Sequence, residues 1–189
     1  MESPKQVNYN YLFKVIVVGE GGVGKTTFIN RFATNKFNED TKITIGASFY
    51  AFENNVNGGD TSVKLQVWDF GGEKRFRFIL PSYCLGAHGV IFAFDLTRAT
   101  TLWNLNEWID LVMKNTENNP VFLLIGTKAD QVESNGYEMI SDEQIKEFME
   151  THYICPHLFF KTSSLTGENV KDVFAEISNL LYKKAKKYG

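Results

Sequence analysis

A chain of 189 residues with 43% apolar content is long enough to enclose a sizeable core within one domain. Its formal net charge of −2 leaves no basic footprint for nucleic acid, and no apolar run approaches the ~20 residues of a membrane-spanning helix. Cys84 and Cys155 fit no metal-ligand or redox spacing, and His88, His152 and His157 form no ligand cluster with them. The composition therefore predicts a soluble cytoplasmic protein with structural thiols.

Residues 1–10 read as a loose N-terminal arm, lacking a signal-peptide core and a Met-Gly acylation start. Residues 11–189 read as one folded unit. An apolar run over 12–18 predicts a buried parallel strand. It is followed by Gly19-Glu20-Gly21-Gly22-Val23-Gly24-Lys25-Thr26 and then by Thr27–Phe32 at helical spacing. Two strand-like runs, 48–56 and 61–69, are joined by the turn signal Asn57-Gly58-Gly59-Asp60. In the second run Val63, Leu65 and Val67 alternate with Lys64 and Gln66, so one face is wetter than the other. Apolar strands follow at 89–94 and 121–125, with a shorter one at 158–160. Helical patterns occupy about 102–115, 141–151 and 169–187, the middle one opened by the cap Ser141 and an acidic first turn. Strands alternating with helices predict an α/β layer fold with a mostly parallel sheet and one antiparallel edge pair.

The segment from Gly19 to Thr26 is a G-x-x-x-x-G-K-[ST] pattern set between a strand and a helix. Glycines there let the backbone N–H groups of Gly21, Gly22, Val23, Gly24, Lys25, Thr26 and Thr27 converge on phosphate, and the helix N-terminus adds partial positive charge. Lys25 can reach the outer phosphates and the Thr26 hydroxyl can coordinate Mg²⁺. A Gly-rich turn that binds nothing would not need this strand and helix on its flanks.

Ligands of such sheets sit beyond the carboxyl ends of the strands. At one such end lies Asp69, able to hold Mg²⁺ through water, followed by Gly72, whose amide can approach a γ-phosphate. At another lies Gly126-Thr127-Lys128-Ala129-Asp130. The Asp130 carboxylate can accept from the N1–H and exocyclic amine of guanine, whereas adenine would leave it unpaired. Thr162-Ser163-Ser164 follows the last strand and can offer backbone to the base carbonyl. Thr44 offers a hydroxyl to complete the Mg²⁺ shell.

Residues 12–183 resemble a Ras-superfamily small GTPase, most closely the Rab branch, with a hint of a prokaryotic, archaeal-type relative. The resemblance rests on these motifs and on Thr44-Ile45-Gly46-Ala47-Ser48-Phe49, Lys64-Leu65-Gln66-Val67-Trp68-Asp69 and Ser82-Tyr83-Cys84-Leu85-Gly86-Ala87-His88-Gly89. It implies a P-loop NTPase fold of three layers, with a six-stranded sheet flanked by five helices, and GTP or GDP with Mg²⁺ as cofactors. It also implies that Phe37 packs on the guanine edge, that 38–46 is switch I and about 70–80 switch II, and that Phe49, Trp68 and Tyr83 contact effectors. Exchange factors, activating proteins and a monomeric state follow from the same resemblance. Lys25, Thr44 and the Gly72 amide would stabilise charge on the transferring phosphoryl group.

Several positions depart from the family pattern. Glu73 stands where a water-orienting Gln is usual. Its charge beside a γ-phosphate leaves three courses: protonation, a swing outward, or action as a base, with slow hydrolysis expected. No arginine supplied in cis is evident, and Arg75 and Arg77 read as structural or solvent-facing. Thr127 replaces an Asn, Ser163-Ser164-Leu165 replaces Ser-Ala-Lys with Leu165 still able to cover a base, and Phe70-Gly71 replaces Thr-Ala, predicting an apolar, flexible start to switch II. The closing lysines, with no cysteine near them, predict no lipid anchor and at most weak or partner-mediated membrane contact. The sequence thus predicts a guanine-nucleotide switch with low intrinsic GTPase activity. The alternatives are a GTP-loaded interaction module with negligible turnover and, less compatible with Thr127–Asp130, a P-loop kinase or ATPase.

Overall fold

The computed structural model describes residues 10–39, 43–117, 119–135, 140–154 and 158–188. Most of the predicted arm, part of switch I (40–42), Cys155 and His157 lie outside the described residues. Six strands form one sheet: β1 (Tyr11–Val18), β2 (Ala47–Val56), β3 (Thr61–Phe70), β4 (Gly89–Asp95), β5 (Val121–Thr127) and β6 (Phe159–Lys161). The order is β2-β3-β1-β4-β5-β6. The β2–β3 pair is antiparallel and every other pair is parallel. The Asn57–Gly59 turn closes the hairpin with Asn57, Gly58 and Gly59 all at positive φ, as its residue types predict.

The helices are α1 (Lys25–Thr34), α2 (Leu80–Cys84), α3 (Thr100–Trp103), α4 (Leu105–Asn115), α5 (Ala129–Asn135), α6 (Asp142–Thr151) and α7 (Val170–Tyr188). A 3-10 stretch, Lys74–Ile79, runs directly into α2. Periodicity located α4, α6 and α7, but α2 and α5 are too short to show a period and were not foreseen. At α6 the expected cap is complete: Ser141 Oγ accepts from the Gln144 amide at 3.3 Å and Gln144 Oε1 from the Ser141 amide at 3.0 Å.

Alternation along the central strands divides the core between the two faces of the sheet. Val15 and Val17 of β1 join Ile91, Phe28, Ile29, Phe174 and Ile177 under α1 and α7. Ile16 and Val18 join Phe92, Phe94, Leu102, Trp108 and Phe148 under the helices of the opposite face. Every residue of β4 is buried, as a strand covered on both faces requires. This three-layer arrangement matters for the site because β1 has β3 on one side and β4 on the other. The chain thus reverses direction across the sheet at β1, and the crevice beyond its carboxyl end is where such folds bind ligands.

Candidate functional site

The loop 19–24 leaves the end of β1 and turns into α1 through Gly24, at φ 99. The helix has no capping side chain and no acidic residue in its first turn, so its N–H groups and partial positive charge face the crevice unopposed. Lys25 is buried, its Nζ donating to the Gly19 and Glu20 carbonyls at 2.8 Å each. Burial pushes its ammonium down to about 8, against the upward pull of Asp69 and Glu20. An anion arriving here would restore a fully charged lysine.

Beside it lie three oxygens from distant parts of the chain. Thr26 Oγ1 donates to Asp69 Oδ2 at 2.5 Å and lies 2.6 Å from Thr44 Oγ1, which is itself 3.4 Å from the same carboxylate oxygen. The other oxygen, Asp69 Oδ1, is buried without a hydrogen-bond partner. Burial raises the Asp69 carboxyl above its ordinary range, although Thr26, Lys25 and Thr44 oppose the rise. Two hydroxyls and a carboxylate make an all-oxygen donor set suited to a hard cation such as Mg²⁺, and the orphaned Oδ1 is an acceptor left to be satisfied.

Switch II begins pressed against this loop. A Cβ on Gly72 would stand 2.1 Å from the Glu20 carbonyl carbon and 2.3 Å from the Gly21 nitrogen, so only glycine fits. The expected apolar start is present but tightly fastened: Phe70 is buried against Tyr83, and the Gly71 amide donates to the Gly46 carbonyl at 2.9 Å. That bond extends the β2–β3 ladder and joins the end of switch I to the start of switch II. Glu73 is held by Arg75, Nε to Oε2 at 2.7 Å. Arg77 pairs with Glu107 and stacks on Trp108 at 4.5 Å, consistent with a structural role.

The base end is assembled by the ends of β5 and β6. Lys128 takes a left-handed conformation, φ 63, and swings the chain into α5. Asp130 sits in the first turn of that helix, where Ser163 Oγ donates to its Oδ1 at 2.5 Å. Ser163 is fully buried, so its side chain supports Asp130 from behind, while Ser164 and Leu165 line the open side. A cavity of about 290 Å³ lies there, bordered by Gly24, Thr27, Phe37, Thr127, Lys128 and Asp130. A second cavity of about 240 Å³ adjoins it, lined by the loop with Lys25, Thr26, Thr44, Gly72 and Glu73. Gly24, Thr27 and Lys128 border both, so the two form one groove. Thr127 is less a base contact than a tie: its hydroxyl reaches the Val23 carbonyl at 2.5 Å and the Phe94 carbonyl at 2.9 Å.

One participant escaped the sequence reading. Asp95, at the end of β4, is fully buried and accepts from the Thr97 amide and hydroxyl, Arg98 Nε and Lys128 Nζ at 2.6–2.9 Å. Burial alone would raise its carboxyl, but Lys128 and Thr97 hold it below the usual range. Arg98 also donates to the Gly21 carbonyl at 3.3 Å, and Asn104 to Glu20 Oε1 at 2.8 Å. A carboxylate closing an apolar strand was the available signal.

A Ras family model matches residues 14–183. The chain belongs to the Ras family. Its similarity is to Rab-named members: it is 36% identical over 176 residues to the Ras-related protein RABA1h of Arabidopsis thaliana, covering 93% of this chain and 77% of that one. The same identity and coverage relate it to Rab11B of Nicotiana tabacum, and Rab11E of Lotus japonicus is 35% identical over 175 residues. As a Rab-like small GTPase it carries the aromatic trio in contact. Phe49 lies 4.9 Å and Tyr83 5.0 Å from the Trp68 ring, Phe49 remains 48% exposed, and Ile43, Ile45 and Phe78 are exposed as well. Among the described residues no helix is long and apolar enough to cross a membrane.

Proposed function

We propose that this protein binds GTP and GDP with Mg²⁺, hydrolyses GTP slowly, and presents switches I and II differently in the two states. The observation that carries the reading is the continuous groove running from Lys25, Thr26 and Thr44, with the buried Asp69 bonded to Thr26 behind them, to Asp130 at the other end. Phosphates would lie on the amides of residues 21–27 with Lys25 against the outer ones, and guanine between Phe37, Lys128 and Leu165 with its N1–H and amine on Asp130. Thr26, Thr44 and Asp69 would hold the cation, which when bound supplies charge neutralisation at the phosphates. Lys25, Thr44 and the Gly72 amide would stabilise charge developing on the transferred phosphoryl group, and Glu73, which lines the same cavity, stands where the family's water-orienting Gln would be. Loss of the terminal phosphate would release Thr44 and Gly72 and so alter the surface of Ile43, Ile45, Phe49 and Phe78 that effectors read. Exchange and activating proteins would act on the same switches of a monomeric, cytoplasmic protein.

Calorimetric titration of nucleotide-free protein should register GTP and GDP uptake and no comparable uptake of ATP; heat from ATP equal to that from GTP would overturn the reading. In single-turnover hydrolysis Glu73→Ala should be slower than the unaltered protein, and an equal rate would remove Glu73 from the chemistry. The pairing of Glu73 with Arg75 favours one second reading, a GTP-loaded interaction module. Following bound nucleotide over hours separates the two, since persistence of GTP supports the module and conversion to GDP supports the enzyme.

A further inference from the structure

Glu73 occupies an awkward position for a carboxylate. Its Cγ lies 3.8 Å from the point where a Cβ on Gly21 would stand, and it lines the same cavity as Lys25, Thr44 and Gly72. The terminal phosphate of the proposed nucleotide belongs in that cavity, and a lone carboxylate there would repel it. Arg75 meets Glu73 edge-on through two bonds, Nε to Oε2 at 2.7 Å and an Nη to Oε1 at 3.3 Å. Its guanidinium also lies 4.8 Å from the Phe76 ring centre, a second contact that favours this placement. The other arginines near the groove are engaged elsewhere, Arg77 with Glu107 and Arg98 with Asp95.

We propose that Arg75 is a positioning residue that neutralises Glu73 and holds its carboxylate aside, so that the groove accepts a triphosphate despite the acidic replacement of the usual Gln. This rests on the GTP-binding reading above. Discrimination between GTP and GDP then depends on the pair rather than on either residue. GDP, lacking the terminal phosphate, is indifferent to the pair, whereas GTP meets the unpaired carboxylate once Arg75 is gone. With Arg75 two-thirds exposed, an ion pair of this kind adds little to fold stability, so its removal leaves the protein intact.

Competition with a fluorescent guanine nucleotide on the full chain, with Mg²⁺ present, gives the ratio of GTP to GDP affinity. Arg75→Gln should lower that ratio at least tenfold with GDP affinity unchanged, and Arg75→Lys should keep it within about threefold of the unaltered protein. The double variant Glu73→Gln/Arg75→Gln should return to the ratio of Glu73→Gln alone. An unchanged ratio in Arg75→Gln overturns the proposal. So does an equal loss in the Glu73→Gln background, which would put Arg75 on the phosphate directly. If the unaltered protein binds neither nucleotide, the parent reading itself fails; if it binds both with a ratio insensitive to Arg75, only this inference does.

Discussion

The two ends of the groove are built in different ways. At the base end the supporting groups are buried and already closed on each other. Ser163 and Thr127 are 0% and 3% exposed, Ala129 N donates to the Thr162 carbonyl, and Ser163 fixes Asp130. At the phosphate end the chain closes through side chains from segments whose neighbours are exposed: Ile43 is 73%, Ile45 77% and Phe78 78% exposed. There Asp69 Oδ1 is left unsatisfied and burial holds the Lys25 ammonium down at about 8 despite Asp69 and Glu20. The Asp130 end is already bonded within itself, while the Lys25 end keeps a buried acceptor unsatisfied. A switch requires that asymmetry, because recognition must persist while the state changes.

Crossed substitutions put this contrast to its strongest test. Asp130→Asn should reverse base choice by up to ~10⁴, favouring xanthine over guanine nucleotides, because a donor replaces one acceptor. Lys25→Met should instead weaken GTP and GDP together by ~10²-fold or more with base preference intact. Competition binding with GTP, XTP and ATP reads both, and a change of base preference in Lys25→Met would dissolve the division. A smaller effect is expected at the tie between the ends. Thr127→Val removes the hydroxyl that joins β5 to the Val23 carbonyl and should cost about 1–2 kcal/mol in urea unfolding of the nucleotide-free protein. No loss there would mean that the loop is held by its own glycines alone.

The smallest effect lies outside both ends. His88 accepts the Lys14 amide on Nδ1 at 2.9 Å and lies edge-on to Phe13. Burial, then Lys184 and Lys14, hold its imidazole below the ordinary 6.5. Between the lowered folded value and 6.5 the unfolded chain binds more protons, so stability is full above about pH 6.5 and falls as the solution is acidified through the folded value. His152, lowered chiefly by burial, adds in the same sense. Thermal unfolding of His88→Asn should therefore vary less between pH 7 and 5 than that of the unaltered protein, and an identical pH dependence would exclude His88 as a source.

Strand ends explain how much of the site was legible. Asp69 stands at the end of an apolar run and Asp130 shortly beyond one, while Lys25 was marked by the glycine motif that follows the first run. Asp95 obeys the same rule but was missed, because no motif spelling marked it. The Gly71–Gly46 bond and the exclusion of a side chain at Gly72 were invisible in sequence. Each depends on distances between segments that share no periodicity.

Local chemistry, then, was enough to determine the α/β layering and the glycine loop between β1 and α1, and to name the residues proposed to meet a guanine nucleotide, because side-chain alternation and glycine conformational freedom act over a few residues. What only the folded chain decided is which charges from distant segments meet: Lys128 on Asp95 and Arg77 on Glu107. Coulombic interaction depends on separation in space and on burial, and neither is encoded by neighbourhood along the chain.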